Sequence, residues 1–458
     1  MRALQMKVYE KSPIYFQNIL TSLDGYRKIK ERYQKTYFTF LNFLEKSDSN
    51  DLESEVSYQE QEMKKLVRHA AANSPFYQEF YAGINLNEIQ TLEDLKKLPV
   101  LEKEMVRQNI ASMYTIPEAK ALVSHTSGTS GTPMKFLYTK DDIQKRMAFL
   151  DFFKKQHGVI NLEMKRASFS CNRFVPRKQK AKVFWRDNVF LKQRLYSTYE
   201  CQEQNAAVFV KNLDVYKPEF IDGLPSALYE VAKYINDNEI TLSFTPTAIF
   251  PTAETLYPHY RKEIEKAFNS PVRDQYASSE GSPFITECIH GRLHYNMKSG
   301  IIETTEDGEM VVTCFNTYGT PLIRYKIGDH AEFDMETTNC ECGSSHPIVK
   351  EIYGRTNDYL VSKKKEKFTA FYLAIQSEKF STSIRKMQFI QNNLEQIEVL
   401  IEKAENYTDE MTGIVRSEME YLFGNDMKFN IHVLDCIPPQ PNGKYRLVVN
   451  NLPEEARL

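Results

Sequence analysis

Between His125 and Phe136 the chain reads HTSGTSGTPMKF, small hydroxyl residues and glycines followed by a lysine. Gly128 and Gly131 let the backbone approach an anion closely, and Ser127, Thr129, Ser130 and Thr132 offer hydroxyl donors. Lys135 adds a point charge. The Gly-x4-Gly-Lys-Ser/Thr spacing of a Walker loop is absent, so the stretch also suits a plain linker. Four later landmarks bear on the choice. DQYASSEG (274–281) sets Tyr276, Ser279 and Glu280 in a short polar loop. TPLIRYKIGD (320–329) ends a strand on Asp329, a carboxylate able to hold two vicinal hydroxyls of a ribose. YGRTND (353–358) carries Arg355 and Asp358, and PNGKYRLV (441–448) offers Lys444 on a turn. Any one of them is also what an ordinary turn carries. Their order and intervals make them a set.

A second constellation is made of cysteine and histidine. The chain has seven cysteines, an odd number without an export signal, which does not read as a disulfide framework. TECIHGRLH (286–294) precedes Cys340-Glu341-Cys342 by about fifty residues. Cys288, Cys340 and Cys342 with one imidazole, His294 or His290, form a sound ligand set for tetrahedral structural zinc.

The elements that must position these residues follow from periodicity. From Ser57 an amphipathic helix is predicted, with Met63, Leu66, Val67 and Ala70 on one face and a stop near Pro75. FLYTKDD (136–142) begins as a strand and runs into a helix over 141–156. In YKPEFIDGLPSALYEVAKYINDN (216–238) a strand at Glu219–Asp222 meets Gly223, and Pro225 opens a helix; 245–269 repeats the pattern. Strands alternating with helices predict an α/β fold with mainly parallel sheets. Past 301 an Asp-Gly between β-branched runs signals a hairpin, and KKKEK (363–367) marks an exposed turn. The one domain boundary the texture suggests lies near Gly354-Arg355. It divides a large N-terminal α/β domain (1–353) from a small α+β domain (354–458).

Composition excludes several classes. With 458 residues, 41% hydrophobic content and a formal charge of −2, the chain reads as globular and has no electrostatic case for nucleic acid. It has no run of about 18–20 apolar residues, so no transmembrane segment is expected. MRALQMKVYEKSPIYF lacks the apolar segment of a signal peptide, and the expectation is a cytoplasmic protein, compatible with peripheral attachment to an envelope-biosynthesis system.

Taken in order, the landmarks resemble the adenylate-forming (acyl-CoA synthetase-like) superfamily. Within it the chain is similar to the phenylacetate–CoA ligase branch, in particular the capsule-associated CapK-like and coenzyme F390 synthetase-like proteins. IYFQNILTSLDGYRKIKERY (14–33), LVRHAAANSPFYQEFY (66–81), LPVLEKEMVRQN (98–109) and GLPSALYEVAKYI (223–235) look like that branch too, so the likeness covers nearly the whole chain.

The resemblance implies a two-step reaction on Mg·ATP. A small-molecule carboxylic acid is adenylated with loss of pyrophosphate, and the acyl group then passes to an acceptor such as coenzyme A. Residues 127–132 match the loop that holds the β/γ-phosphates, with Thr129, Lys444 and Glu280 as the catalytic set. Glu280 matches the acid that helps hold Mg2+, and Tyr276 an aromatic near adenine, with Ser279 beside it. Ala253 and Glu254 match the turn along the adenine, Asp329 the ribose carboxylate, and Arg355 an arginine reaching ribose or phosphate. Lys444 matches the lysine bridging carboxylate and α-phosphate, and Asp358 the hinge. Relatives with zinc place a histidine at the Gly-x-x-His position, which prefers His294 over His290 as fourth ligand. Ala277, where the family often has glycine, and SKKKEKF past the hinge depart from the pattern; they touch adenine contact and domain rotation. Substrate identity is left open: aryl, fatty and amino acids all suit the fold, with Phe169–Phe174 and Leu224–Leu228 as candidate pocket walls. So are monomer or homodimer, an amide- or ester-forming ligase that never uses coenzyme A, and an inactive nucleotide-binding scaffold.

Overall fold

The computed structural model describes residues 8–456 apart from 48, 127–133, 177–178, 307, 337–339, 356–358, 365, 371–372, 374–376, 378–379, 381–382, 441–443 and 454–455; of 353–355 and 369 it describes the backbone only. The chain opens with helices α1 (Ile14–Arg32), α2 (Lys35–Lys46) and α3 (Leu52–Asn73). In α3, Met63, Leu66, Val67 and Ala70 are buried, the positions singled out by periodicity. The helix begins at Leu52 rather than Ser57 because Asp51 caps it, accepting from the Ser54 N–H. It stops where Ser74 caps the next helix and Pro75 becomes that helix's first residue.

Strands β1 (Leu122–His125) and β2 (Lys135–Tyr138) pair antiparallel on either side of the small-residue stretch. A Thr139–Asp142 capping box then starts α4 (Lys140–Gln156). A five-stranded sheet follows, built from β3 (Arg166–Ser170), β4 (Trp185–Asn188), β5 (Gln193–Ser197), β6 (Phe220–Gly223) and β7 (Ile249–Pro251). Its order is β4-β5-β3-β6-β7, parallel except at β4. Helices α5 (Glu203–Tyr216) and α6 (Pro225–Asp237) make the crossovers to β6 and β7, and α7 (Pro258–Phe268) follows β7; the last two helices are opened by a proline.

The next sheet differs. It comprises β8 (Gln275–Tyr276), β9 (Ile285–Glu287), β10 (Leu293–Tyr295), β11 (Gly300–Thr304), β12 (Glu309–Cys314), β13 (Tyr325–Phe333) and β14 (Ile348–Arg355). Its order is β11-β12-β13-β14-β10-β9-β8, antiparallel at every described pairing. The parallel pairing expected from sequence is therefore absent from this sheet; it is found in the five-stranded sheet and at the two outer pairings of the four-stranded sheet. The physical reason is connection length: the turn between β11 and β12 is too short for a crossover.

The rest of the chain forms the hairpin β15 (Tyr359–Val361) and β16 (Lys367–Thr369), with Lys363, Lys364 and Glu366 between the strands, and a four-stranded sheet. That sheet has β17 (Ile384–Gln391), β18 (Gln396–Lys403), β19 (Lys428–Leu434) and β20 (Val448–Asn450) in the order β19-β18-β17-β20, with α8 (Asp409–Phe423) supplying buried Val415, Met419 and Phe423. One apolar core joins Phe169, Ile221 and Leu228 of the parallel sheet and its helices to Phe389, Ile397 and Met419 here. No described helix is long and apolar enough to cross a membrane.

Candidate active site and cysteine cluster

A cavity of about 540 Å³ opens where the two larger sheets meet the four-stranded one, within the range of pockets that hold a nucleotide-sized ligand. Ala253, Glu254, Tyr276, Ser279, Glu280, Asp329 and Lys444 all line it, although 191 residues separate the first from the last. Each arrives by a different local device. After β7 the backbone turns at Ala253 in the left-handed region, φ 68°, which is strained for a residue with a Cβ and typical of functional sites. The loop after β8 is held from below. Tyr138 Oη donates to the Ser279 carbonyl at 2.7 Å, and Arg146 of α4 donates to the carbonyls of Ser278 (3.2 Å) and Ser282 (3.4 Å). Glu280 is buried. The next residue must be glycine: Gly281 has φ +95°, and a Cβ there would stand 2.5 Å from Thr317 Cγ2.

Asp329 sits on β13 at a register shift against β14, where its Cα partner is Arg355; such a bulge re-aims a side chain. The Tyr276 hydroxyl donates to Asp329 Oδ2 at 2.6 Å. Burial, then the Asp329 charge, drives the Tyr276 phenol well above its ordinary pKa, so it stays a donor. Lys444 reaches across from the segment before β20 and donates from Nζ to the Ala253 carbonyl at 2.8 Å.

Several expected residues stand elsewhere. Ser127, Gly128, Thr129, Ser130, Gly131, Thr132 and Asp358 lie outside the described residues, as does the side chain of Arg355. Lys135 pairs with Glu118 at 2.6 Å near the surface and is not part of the cavity wall. Phe169, Leu224 and Leu228 are packed in the core, and neither 169–174 nor 224–228 lines this cavity.

Other lining residues were not singled out from sequence. Asp274 faces the cavity; its enclosure raises its pKa to about 6, against the pull of Arg261. Lys350 also lines the wall. A polar residue beginning DQYASSEG looks like any loop acid, so only the fold reveals Asp274. The same holds for Arg146, a helix arginine whose burial periodicity does not forecast.

The cysteine cluster is a separate, compact arrangement. Cys288 begins the β9–β10 turn and His294 lies on β10, which pairs with β14. Cys340 and Cys342 come from the loop between β13 and β14, so sheet order brings the two pairs together. Ligand atoms of Cys288, His294, Cys340 and Cys342 all lie within 4.8 Å of one another. Tetrahedral zinc bonds of the usual lengths require about 3.8 Å between two sulfurs and about 3.6 Å between sulfur and nitrogen. The Cys288–Cys340 Sγ separation is 3.9 Å, and Cys342 Sγ to His294 Nε2 is 3.5 Å. His294 Nδ1 is 3.0 Å from the His346 carbonyl, which selects the tautomer with a lone pair on Nε2. Burial raises the Cys342 thiol to about 12, and the neighbouring sulfurs add to it; a divalent cation would reverse that balance. The four residues fit zinc. His290 faces Glu341 instead, at 3.3 Å.

Comparison with known proteins agrees with this picture. The fold is that of 2-hydroxyisobutyryl-CoA ligase, solved in the postadenylation state in complex with R3-HIB-AMP: the TM-score is 0.68 at 17% identity, covering 87% of this chain and 89% of that one. That likeness defines the fold class, the one seen in adenylate-forming ligases. The CapK C-terminal domain family matches residues 360–451. Protein CapK of Staphylococcus aureus is 38% identical over 452 residues, 97% of this chain and 99% of CapK. Phenylacetate-coenzyme A ligase of Escherichia coli K12 is 30% identical over 360 residues, 70% of this chain and 75% of that enzyme. The chain belongs to the adenylate-forming superfamily, in the family that CapK shares with phenylacetate–CoA ligase.

Proposed function

We propose that the protein is an AMP-forming carboxylate ligase that activates a carboxylic acid with ATP and passes the acyl group to coenzyme A or another acceptor. The observation that carries this reading is the convergence of Glu280, Asp329, Tyr276 and Lys444 on one nucleotide-sized cavity. In the first step a carboxylate oxygen attacks the α-phosphorus of ATP. The bond to pyrophosphate breaks, and pyrophosphate leaves with the electron pair. Charge grows on the α-phosphoryl oxygens, where a fixed cation acts most strongly; Lys444 supplies it. Asp329, oriented by the Tyr276 hydroxyl, accepts from the ribose hydroxyls, and the 127–132 loop with Thr129 cradles the outer phosphates. Glu280 is the residue that would hold Mg2+, which neutralises phosphate charge when bound. In the second step the acceptor attacks the acyl carbonyl and AMP departs.

In this reading 1–353 is the adenylation domain, and 354–458 a lid that turns near Asp358 between the steps. Cys288, His294, Cys340 and Cys342 hold structural zinc. The cluster ties its loop to the sheet, and through the Ser345–Ser49 contact (N to O, 2.8 Å) to the turn between α2 and α3. Similarity to the coenzyme A ligase supports coenzyme A as acceptor, and similarity to CapK supports a place in envelope polysaccharide chemistry.

ATP–pyrophosphate exchange on the purified full chain, across aryl, fatty, hydroxy and amino acids, tests the proposal. Exchange dependent on one acid class is the expected result. Tight ATP binding with no exchange for any acid would favour the scaffold reading instead.

A further inference from the structure

Lys444 works only if the segment carrying it is held at the cavity, and the contacts that hold it are specific. Glu254 lies on the opposite wall, directly after the strained Ala253. Its Oε1 accepts the N–H of Tyr445 at 2.8 Å, and its Oε2 accepts the N–H of Ser226 at 3.1 Å. One carboxylate thus joins the residue next to Lys444 to the first turn of α6. Both bonds are charge-assisted, the stronger kind. A neutral amide at this position would present a donor to one of the two N–H groups.

A second anchor lies behind the first. Buried Glu230 of α6 pairs with Lys386 (2.7 Å) and Arg385 (3.4 Å) of β17. Arg385 also reaches Glu203 of α5 at 3.0 Å and Glu402 of β18 at 3.7 Å. Strand β17 runs parallel to β20, the strand that Lys444 precedes, and the Tyr445 hydroxyl donates to the Met387 carbonyl on β17. The ion pairs therefore fix the sheet, while Glu254 fixes the last few residues leading to the ammonium group. Buried pairs of this kind select one arrangement more than they add stability.

We propose that Glu254 is a positioning residue for the first half-reaction, clamping the Lys444 segment against the cavity through its side chain while its backbone belongs to the nucleotide wall. The inference rests on the adenylation reading above. It predicts that breaking the clamp lowers turnover without removing the nucleotide site.

The test uses Glu254→Gln and, as a second variant that keeps the charge but shortens the reach, Glu254→Asp. Pyrophosphate exchange is measured with the acid that supports it in the unaltered protein, and amine-reactive labelling of Lys444 is followed by peptide mass spectrometry. A displacement of about 1 Å costs up to about a hundredfold, so kcat for exchange should fall about tenfold to a hundredfold. KM for ATP should stay within about threefold, the pattern of an interaction made in the transition state. Lys444 should label several-fold faster than in the unaltered protein, with the melting temperature held. Unchanged kcat in either folded variant would overturn the inference. So would a rise in KM for ATP with unchanged Lys444 labelling, which would make Glu254 a nucleotide contact. Absence of exchange in the unaltered protein would count against the adenylation reading; faster Lys444 labelling in the variants would still report on the clamp.

Discussion

The cysteine cluster and the cavity are built in opposite ways. Four ligand atoms of the cluster lie within 4.8 Å, supplied by one hairpin and one loop of a single antiparallel sheet. The cavity draws its wall from the end of β7, the loop after β8, the bulge in β13 and a segment beyond β19, so it exists only while the four-stranded sheet is docked. A site made within one sheet is rigid and suits a structural metal. One made between sheets can open, as the proposed two-step reaction asks of the segment that carries Lys444.

If this division holds, damage to one site should leave the other intact. Lys444→Ala should lower pyrophosphate exchange about 10²–10³-fold, the effect of removing a preorganised charge from a transition state, with metal content and melting temperature unchanged. Cys340→Ser should do the reverse. Metal analysis should show zinc lost, and urea melts should show about 3 kcal/mol or more of lost stability, while exchange per folded molecule persists.

Smaller effects sharpen the contrast within the cavity. Asp274 has its pKa raised to about 6 by enclosure. The folded state thus holds the proton more tightly than the unfolded one. The stability this contributes is present below about pH 4 and is lost as pH rises through about 6. Asp274→Asn removes that loss, so its melting temperature relative to the unaltered protein should rise between pH 4 and pH 8. The expected gain is about 1–2 kcal/mol once screening by cavity water is allowed for. Tyr276→Phe removes the 2.6 Å bond to Asp329, and KM for ATP should increase about fivefold, in line with about 1 kcal/mol for one hydrogen bond.

Sequence legibility follows the same division. Helices with a strong apolar stripe were readable: Met63, Leu66, Val67 and Ala70 are buried as their spacing predicts. The strand–helix units at 216–238 and 245–269 were readable too, and they make the parallel sheet. The seven-stranded antiparallel sheet was readable only in part: the hairpin signalled past 301 is β11 with β12, but the far edge of the sheet left no pattern. Its strands β8, β9 and β10 span two or three residues, too short for a period-2 pattern to stand out. Residue type pointed to Glu280, Asp329 and Lys444, and the fold gathers them. It could not show that Glu254 reaches Tyr445 across 191 residues, because that contact depends on docking between sheets. Nor could it show that Lys135 turns to Glu118, an ion pair open to any surface lysine.

Pyrophosphate exchange by Lys444→Ala, run beside Cys340→Ser on samples matched for folded protein, tests the central claim most directly. The account predicts that exchange collapses in the first and continues at the unaltered rate in the second. Exchange surviving in Lys444→Ala would contradict it, because the cavity would then not be where the first step takes place.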